Sequence, residues 1–203
     1  TRYYENRMER DDSMKKYEIG LYEKAMRNSL SWKEKLECAK ECGYDYLEIS
    51  IDATEEKINR IYMNTEEKRR IMEAVFDTGI PIGSMSVSAL TKYALGDPQE
   101  EVRKKAMEIA EKSIELASDL GVRTVMIPGY DVYYGESTIE TKRYFLENIK
   151  KIAEIAEREG ILVGFETMEN EFMNTTGKAL HYVNMIDSAY LKIYPDAGNI
   201  TNA

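Results

Sequence analysis

Six short apolar runs, each trailed by a stretch of helical periodicity, limit what this 203-residue chain can become. Strand candidates begin near residues 17, 46, 82, 123, 161 and 191, a strand–helix unit every ~30–40 residues. Strands that alternate with helices make a parallel sheet with helices packed outside it. The strands read as Tyr17–Tyr22, Tyr46–Ile51, Ile82–Ser88, Thr124–Ile127, Ile161–Phe165 and Leu191–Asp196. Two architectures fit that alternation, an open doubly wound sheet and a parallel (β/α) barrel. No Gly-x-Gly-x-x-Gly follows the first strand, which removes the main support for a dinucleotide fold. An eight-unit barrel at ~35 residues per unit needs ~280 residues, so this length supplies six of eight units of an α/β TIM-type barrel.

Local signals place the helices. Ser31-Trp-Lys-Glu34 is a capping box, and the helix it opens stops at Gly43. Thr65-Glu-Glu starts another with acids in its first turn, and Gly79 ends it with Pro81 just beyond. Val102, Ala106, Ile109, Ser113, Leu116 and Leu120 line one face of what reads as the longest helix, closed by Gly121. Phe145, Ile149, Ile152 and Ala156 do the same for the next, and a helix is expected over Lys178–Ile186. Residues 1–13 are polar and aperiodic, and Met14-Lys-Lys-Tyr17 looks like a natural start. They read as an extension outside a barrel domain running from 14 to 203.

Charge restricts the partners. Lys and Arg total 28 against 37 Asp and Glu, a formal charge of −9, which disfavours a nucleic-acid backbone. No apolar run reaches the ~20 residues of a membrane span. Cys38 and Cys42 fall four apart on one predicted helix, as two reduced thiols would, and a cytoplasmic location is expected.

Two acids sit where parallel strands meet their loops. Glu166 follows the run Ile161–Phe165, and Asp196 ends Leu191-Lys-Ile-Tyr-Pro-Asp196. Adjacent strands lie ~4.8 Å apart. If these two pair, both carboxylates reach one mouth and form half of a divalent-metal site. The same spacing equally suits two acids that cap turns. Glu23 and Lys24 follow the first strand, at the face where barrel sites lie. Glu48 lies inside the second strand and would need a partner if buried. Tyr130, Asp131 and Tyr133 line a pocket or cover the barrel end, and Lys92 and Lys178 read as solvated charges.

Several strings resemble a known family. They are Gly20-Leu-Tyr-Glu-Lys-Ala25, Gly43-Tyr-Asp-Tyr-Leu-Glu-Ile-Ser-Ile-Asp52, Ser84-Met-Ser-Val-Ser-Ala89, Gly129-Tyr-Asp-Val-Tyr-Tyr134, Met173-Asn174 and Tyr194-Pro-Asp-Ala-Gly-Asn199. They are similar to the L-ribulose-5-phosphate (L-xylulose-5-phosphate) 3-epimerases, also called hexulose-6-phosphate isomerases, of the xylose-isomerase-like TIM barrels. The resemblance runs from about Lys16 to Ala203. It implies a divalent ion (manganese, magnesium or zinc) held by Glu, Asp, His and Glu at four strand ends, with Glu166 matching the first ligand and Asp196 the second. It implies a sugar-phosphate substrate with Glu23 and Lys24 near it, and Tyr130, Asp131 and Tyr133 are the pocket candidates for contacting the same substrate. It also implies an isomerase that interconverts L-ribulose 5-phosphate and L-xylulose 5-phosphate, with Glu166 as one of two acid/base groups. The family's His and final Glu have no counterpart in these residues. His181 precedes Asp196 and falls on a helix, and Leu90 stands where the family often has His.

The 203 residues alone are therefore expected to bind metal weakly and not to epimerise. A non-catalytic binding role for the barrel's first six units is the alternative. Unpaired first and sixth strands lead us to expect a homo-oligomer, since open edges recruit other chains.

Overall fold

The structure, a computed structural model, describes residues 17–201. The expected extension at residues 1–13 lies outside the described residues. Among the described residues six strands, β1 (Gly20–Tyr22), β2 (Tyr46–Ser50), β3 (Ile82–Ser86), β4 (Thr124–Pro128), β5 (Leu162–Glu166) and β6 (Leu191–Tyr194), form one sheet in chain order. Every neighbouring pair is parallel. Strand order does not reverse at β1, so the sheet is of the barrel type and not doubly wound.

Among the described residues seven α-helices connect or follow the strands: α1 (Trp32–Glu41), α2 (Glu55–Ile58), α3 (Thr65–Thr78), α4 (Glu100–Asp119), α5 (Ile139–Glu159), α6 (Thr176–Ile186) and α7 (Ala197–Ile200). Their ends follow the chemistry of the sequence. Ser31 and Glu34 exchange the reciprocal bonds of a capping box at α1, and Asn64 with Glu67 does so at α3. Gly79 and Gly160 end α3 and α5 at positive φ, where a side chain would be strained.

The two faces of the sheet differ in chemistry. Leu47, Ile49, Val125, Ile127, Val163 and Phe165 point outward and are buried under the helices. Phe145 of α5 meets Phe165 at 5.7 Å and Phe172 at 5.0 Å between ring centres, which seats α5 against β5. The opposite face carries Tyr22, Tyr46, Glu48, Ser50, Ser84, Ser86, Glu166 and Tyr194. One extra residue, Gly83, breaks the register between β2 and β3, pairing Leu47 with Ile82 but Glu48 with Ser84. A Cβ on Gly83 would lie 2.6 Å from Cγ of Tyr46, so the bulge makes room for that ring.

Hydrogen bonds across this polar face show that the sheet curls. The Tyr194 hydroxyl of β6 donates to Glu48 of β2 at 3.0 Å, and the Tyr22 and Ser86 hydroxyls of β1 and β3 lie 3.2 Å apart. In a flat sheet β2 and β6 would stand ~19 Å apart, four spacings of ~4.8 Å. Six strands of a (β/α) barrel account for the contact, with the polar face inside.

Some elements differ from expectation. β1 begins at Gly20, because Ile19 is already bonded to Asp45 through backbone and side chain. β3 ends at Ser86, and Ser88–Thr91 tighten into a 3-10 turn instead of strand and open loop. The longest helix is α5, 21 residues against 20 for α4. α2 and the following 3-10 turn, Asn59–Tyr62, lacked a readable period because each is one turn long. Cys38 lies in α1, Cys42 is its C-cap, and both are free thiols.

Candidate active site

Glu166 is the last residue of β5, half-buried, with its neighbours Phe165 and Thr167 fully buried. Burial raises its carboxyl, and the charges of Asp196, Glu48 and Glu169 push it further, to about 7. The strand end is fixed from both sides. The Glu166 carbonyl accepts from Gly129 N at 3.1 Å, and a Cβ on Gly129 would stand 2.5 Å from that same oxygen. Only glycine lets the β4 exit loop pass so close.

Asp196 lies two residues past β6. Its Oδ1 accepts from Asn199 N at 2.7 Å, capping α7, and its backbone N donates to Thr167 Oγ1 at 2.8 Å. Asn199 in turn donates to the Thr167 carbonyl at 2.9 Å. Thr167 thus ties the exit of β5 to the exit of β6. Asp196 therefore caps the turn that opens α7, as one reading of the sequence has it, and its charge acts on Glu166.

Glu48 accepts from Ser84 Oγ at 2.6 Å and from the Tyr194 hydroxyl at 3.0 Å. Burial, then the Glu48 charge and bond, pushes the Tyr194 phenol up, so it stays a donor at neutral pH. Glu169 accepts from the Tyr130 hydroxyl at 2.6 Å, and burial followed by that bond raises the Tyr130 phenol. Glu169 was not singled out in the sequence. Its partner lies 39 residues away, and only its place in the loop after Glu166 hinted at a role.

The remaining expected contact residues are dispersed. Tyr133 is partly exposed and stacks edge-on between Tyr130 and Tyr134. Asp131 is fully buried, and its Oδ2 accepts from Ser137 at 2.7 Å and Thr141 at 2.6 Å, which fastens the first turn of α5. Lys24 donates to Ser88 Oγ at 3.2 Å and approaches Asp52 at 3.5 Å, on the exposed side of the β1 exit. Glu23 is buried, and both its oxygens are engaged by Lys35, Lys57, Arg60 and the Ser50 amide. That arrangement leaves it a structural task inside the protein. Lys178 donates to Asn174 at 2.8 Å and Lys92 lies 5.3 Å from the Tyr93 ring. His181 is exposed on α6 beside Tyr182, and Leu90 is buried. A cavity of about 800 Å³ between the first turns of α5 and α6 is lined by Tyr133, Lys142, Phe172, Lys178, His181 and others, but not by Glu166 or Asp196.

Glu166 and Asp196 suit a hard divalent cation in chemistry: both offer carboxylate oxygens, and an ion between them would relieve the repulsion that Asp196 exerts on Glu166. Among the described residues no group of three or more His, Cys, Asp or Glu is arranged to hold an ion.

Residues 36–203 match the family described as xylose isomerase-like TIM barrel. The chain belongs to that family. Among curated proteins it is similar to the L-ribulose-5-phosphate 3-epimerase UlaE of Shigella boydii serotype 18, 36% identical over 187 residues, 92% of this chain and 66% of the relative. The UlaE of Escherichia coli O157:H7 matches with the same identity and coverage. The chain therefore spans about two thirds of the length of these relatives. Among solved structures, D-psicose 3-epimerase with D-tagatose from Clostridium cellulolyticum H10 superposes at TM-score 0.75 and 18% identity over 91% of this chain and 65% of that one. A xylose isomerase-like TIM barrel protein from Mycobacterium smegmatis in complex with magnesium gives 0.71 and 16%, over 91% and 66%. These two share the fold of this chain. Among the described residues no helix is long and apolar enough to cross a membrane.

Proposed function

We propose that these residues form the Glu166 half of the active site of a cytoplasmic sugar-phosphate 3-epimerase acting on a ketopentose phosphate such as L-ribulose 5-phosphate. The observation that carries the reading is the place of Glu166, half-buried at the end of β5 inside a parallel barrel with its carboxyl raised by burial and by Asp196, in a chain related to named 3-epimerases. A base works best when its pKa lies near the working pH, and an ordinary glutamate at ~4.3 is a weaker proton acceptor.

Glu166 takes the proton from C3 of the ketose. The C–H electron pair moves into a C2–C3 double bond, and the carbonyl at C2 becomes an oxyanion, giving an enediolate. Return of a proton to the opposite face inverts C3 and needs a second acid/base group facing Glu166. A divalent ion held by Glu166 and Asp196 would supply Lewis-acid stabilisation of negative charge on the substrate oxygens. Tyr194 and Ser84 hold Glu48 in place, and Glu48 keeps Glu166 proton-hungry from the floor of the site. Tyr130 anchors Glu169 on the other side.

One acid/base group and two metal donors support a further part of the proposal, that the 203 residues assayed alone bind metal weakly and do not complete epimerisation. Self-association along the β1 and β6 edges belongs to the same reading. The experiment is to incubate the chain with L-ribulose 5-phosphate and manganese and to follow L-xylulose 5-phosphate. No product is expected; product at an enzymic rate would overturn this part of the proposal, and product unchanged by Glu166→Gln would overturn the assignment of Glu166 as well.

A further inference from the structure

A single buried carboxylate, Glu23, faces three buried cations. Lys35, Lys57 and Arg60 are at most 8% exposed, and Glu23 is 1% exposed, so the cluster carries two positive charges that no acid within it neutralises. The donors are also in surplus. A lysine ammonium has three N–H donors and an arginine five. Glu23 Oε1 accepts from Lys35 at 2.6 Å, Lys57 at 2.5 Å and Arg60 at 2.8 Å, and Oε2 accepts from Arg60 at 2.6 Å. Arg60 gives one more to the Ser50 carbonyl at 3.1 Å. Each lysine therefore retains two unused N–H groups, and Arg60 retains two. Buried donors are normally satisfied, and charged ones cost most when they are not.

The Trp32 ring meets part of this demand. It lies 4.9 Å from Lys35 Nζ and 4.8 Å from Arg60 Cζ. A ring face attracts cations but offers no lone pair. Beside it the cluster opens onto a cavity of about 350 Å³, lined by Trp32, Lys35, Arg60, Asn28, Asn59 and Ser31 among others. The cavity's acids, Glu56 and Glu67, are both exposed, and Glu67 already accepts from Asn64 N at 2.8 Å.

We propose that this cavity is a binding site for a small oxyanion of the phosphate or sulfate type, held by the spare donors of Lys35 and Arg60 with Asn28 or Asn59 completing the shell. The site uses the β1 exit, α1 and the α2 segment, and it does not depend on the reaction proposed at Glu166. Tetrahedral oxyanions match the chemistry because several oxygens can each take one N–H from a different side chain.

The test uses the 203-residue chain purified without phosphate or sulfate. Inorganic phosphate is titrated against sodium chloride of equal ionic strength while thermal unfolding is followed. Phosphate at ten times its dissociation constant is expected to raise the folding equilibrium constant about tenfold, and chloride is not. Calorimetric phosphate affinity is expected to fall at least about tenfold in Lys35→Met, which keeps the stem and removes the donors. Asn28→Asp puts a competing charge on the cavity wall without touching Glu23, and it is expected to weaken phosphate similarly if Lys35→Met does not fold. Crystals grown with selenate are expected to show an anomalous peak between Lys35, Arg60 and Trp32. Equal effects of phosphate and chloride, an unchanged affinity in Asn28→Asp, or selenate only at other positions would each overturn the proposal.

Discussion

The Tyr194 hydroxyl and the Glu48 carboxylate meet at 3.0 Å across the barrel interior, joining residues 146 apart in sequence. This bond links β6 to β2 and holds Glu48, one of the carboxylates whose charge adds to burial and Asp196 in raising Glu166. A hydrogen bond to a charged group typically contributes ~1.5–3 kcal/mol. Tyr194→Phe is expected to lose about that much stability in urea unfolding, with the Ser84 bond to Glu48 retained. An unchanged midpoint would show that the sheet does not need the bond to stay curled.

Glu48→Gln removes one of the charges that raise Glu166. In buffer containing a chelator, carbon-13 titration of the Glu166 carboxyl is expected to give about 7 in the wild type and a lower value in the variant. A titration near the ordinary ~4.3 in the wild type would contradict the electrostatics.

The raised carboxyl also predicts a pH dependence of stability. Glu166 titrates at about 7 when folded and ~4.3 when unfolded, so the folded state binds the proton more tightly. Its ionisation therefore costs stability progressively from ~4.3 to about 7 and fully above that range. Glu166→Gln removes the cost. The variant is expected to match wild type at pH 4 and to exceed it at pH 8 by about 1–2 kcal/mol, with partial exposure screening the rest. Equal stability at both pH values would argue against the shift.

Glu23 works in the opposite direction. Burial alone would raise its carboxyl, but Arg60, then Lys35 and Lys57, hold it well below the usual range. A depressed carboxyl stabilises the fold above the unfolded value of ~4.3 and loses that contribution as pH falls toward the folded value. Glu23→Gln leaves three buried cations without their carboxylate, a loss of about 3–5 kcal/mol at neutral pH. Its stability is expected to fall less steeply below pH ~4 than that of wild type, measured by urea unfolding across the acid range.

Gly129→Ala drives a methyl into the Glu166 carbonyl, a backbone atom that cannot swing aside. Forced crowding of this kind costs about 1–3 kcal/mol, and here it also displaces the strand end that aims Glu166. Thermal unfolding and the proton-exchange assay described below should both fall. A stable variant with full exchange would show that the loop is not tightly held.

Much of the scaffold was legible because it rests on local chemistry. Ser31 and Glu34 state the start of α1, Gly79 and Gly160 state helix ends, and short apolar runs between helical stretches state the strands. The strand-end place of Glu166 was legible for the same reason, as the first acid after an apolar run. The Glu48–Tyr194 and Tyr130–Glu169 pairs were hidden, since each joins residues brought together only by the curl of the sheet. Glu23 looked like a strand-end substrate contact, and its three cations lie 12, 34 and 37 residues away on elements too short or too polar to show a buried face. Gly83 gave no sign of a bulge, because the need for it comes from the Tyr46 ring on the neighbouring strand.

The central claim is that Glu166 exchanges the C3 proton of a ketopentose phosphate. The most direct measurement places L-ribulose 5-phosphate and manganese with the chain in D₂O and follows the C3 proton signal by NMR. One correctly placed base can remove a proton and return deuterium to the same face, so exchange does not require inversion. The account predicts loss of the C3 signal with the wild-type chain, slowed ~10²–10⁴-fold in a folded Glu166→Gln variant. No exchange with wild type, or equal exchange with both proteins, would contradict it.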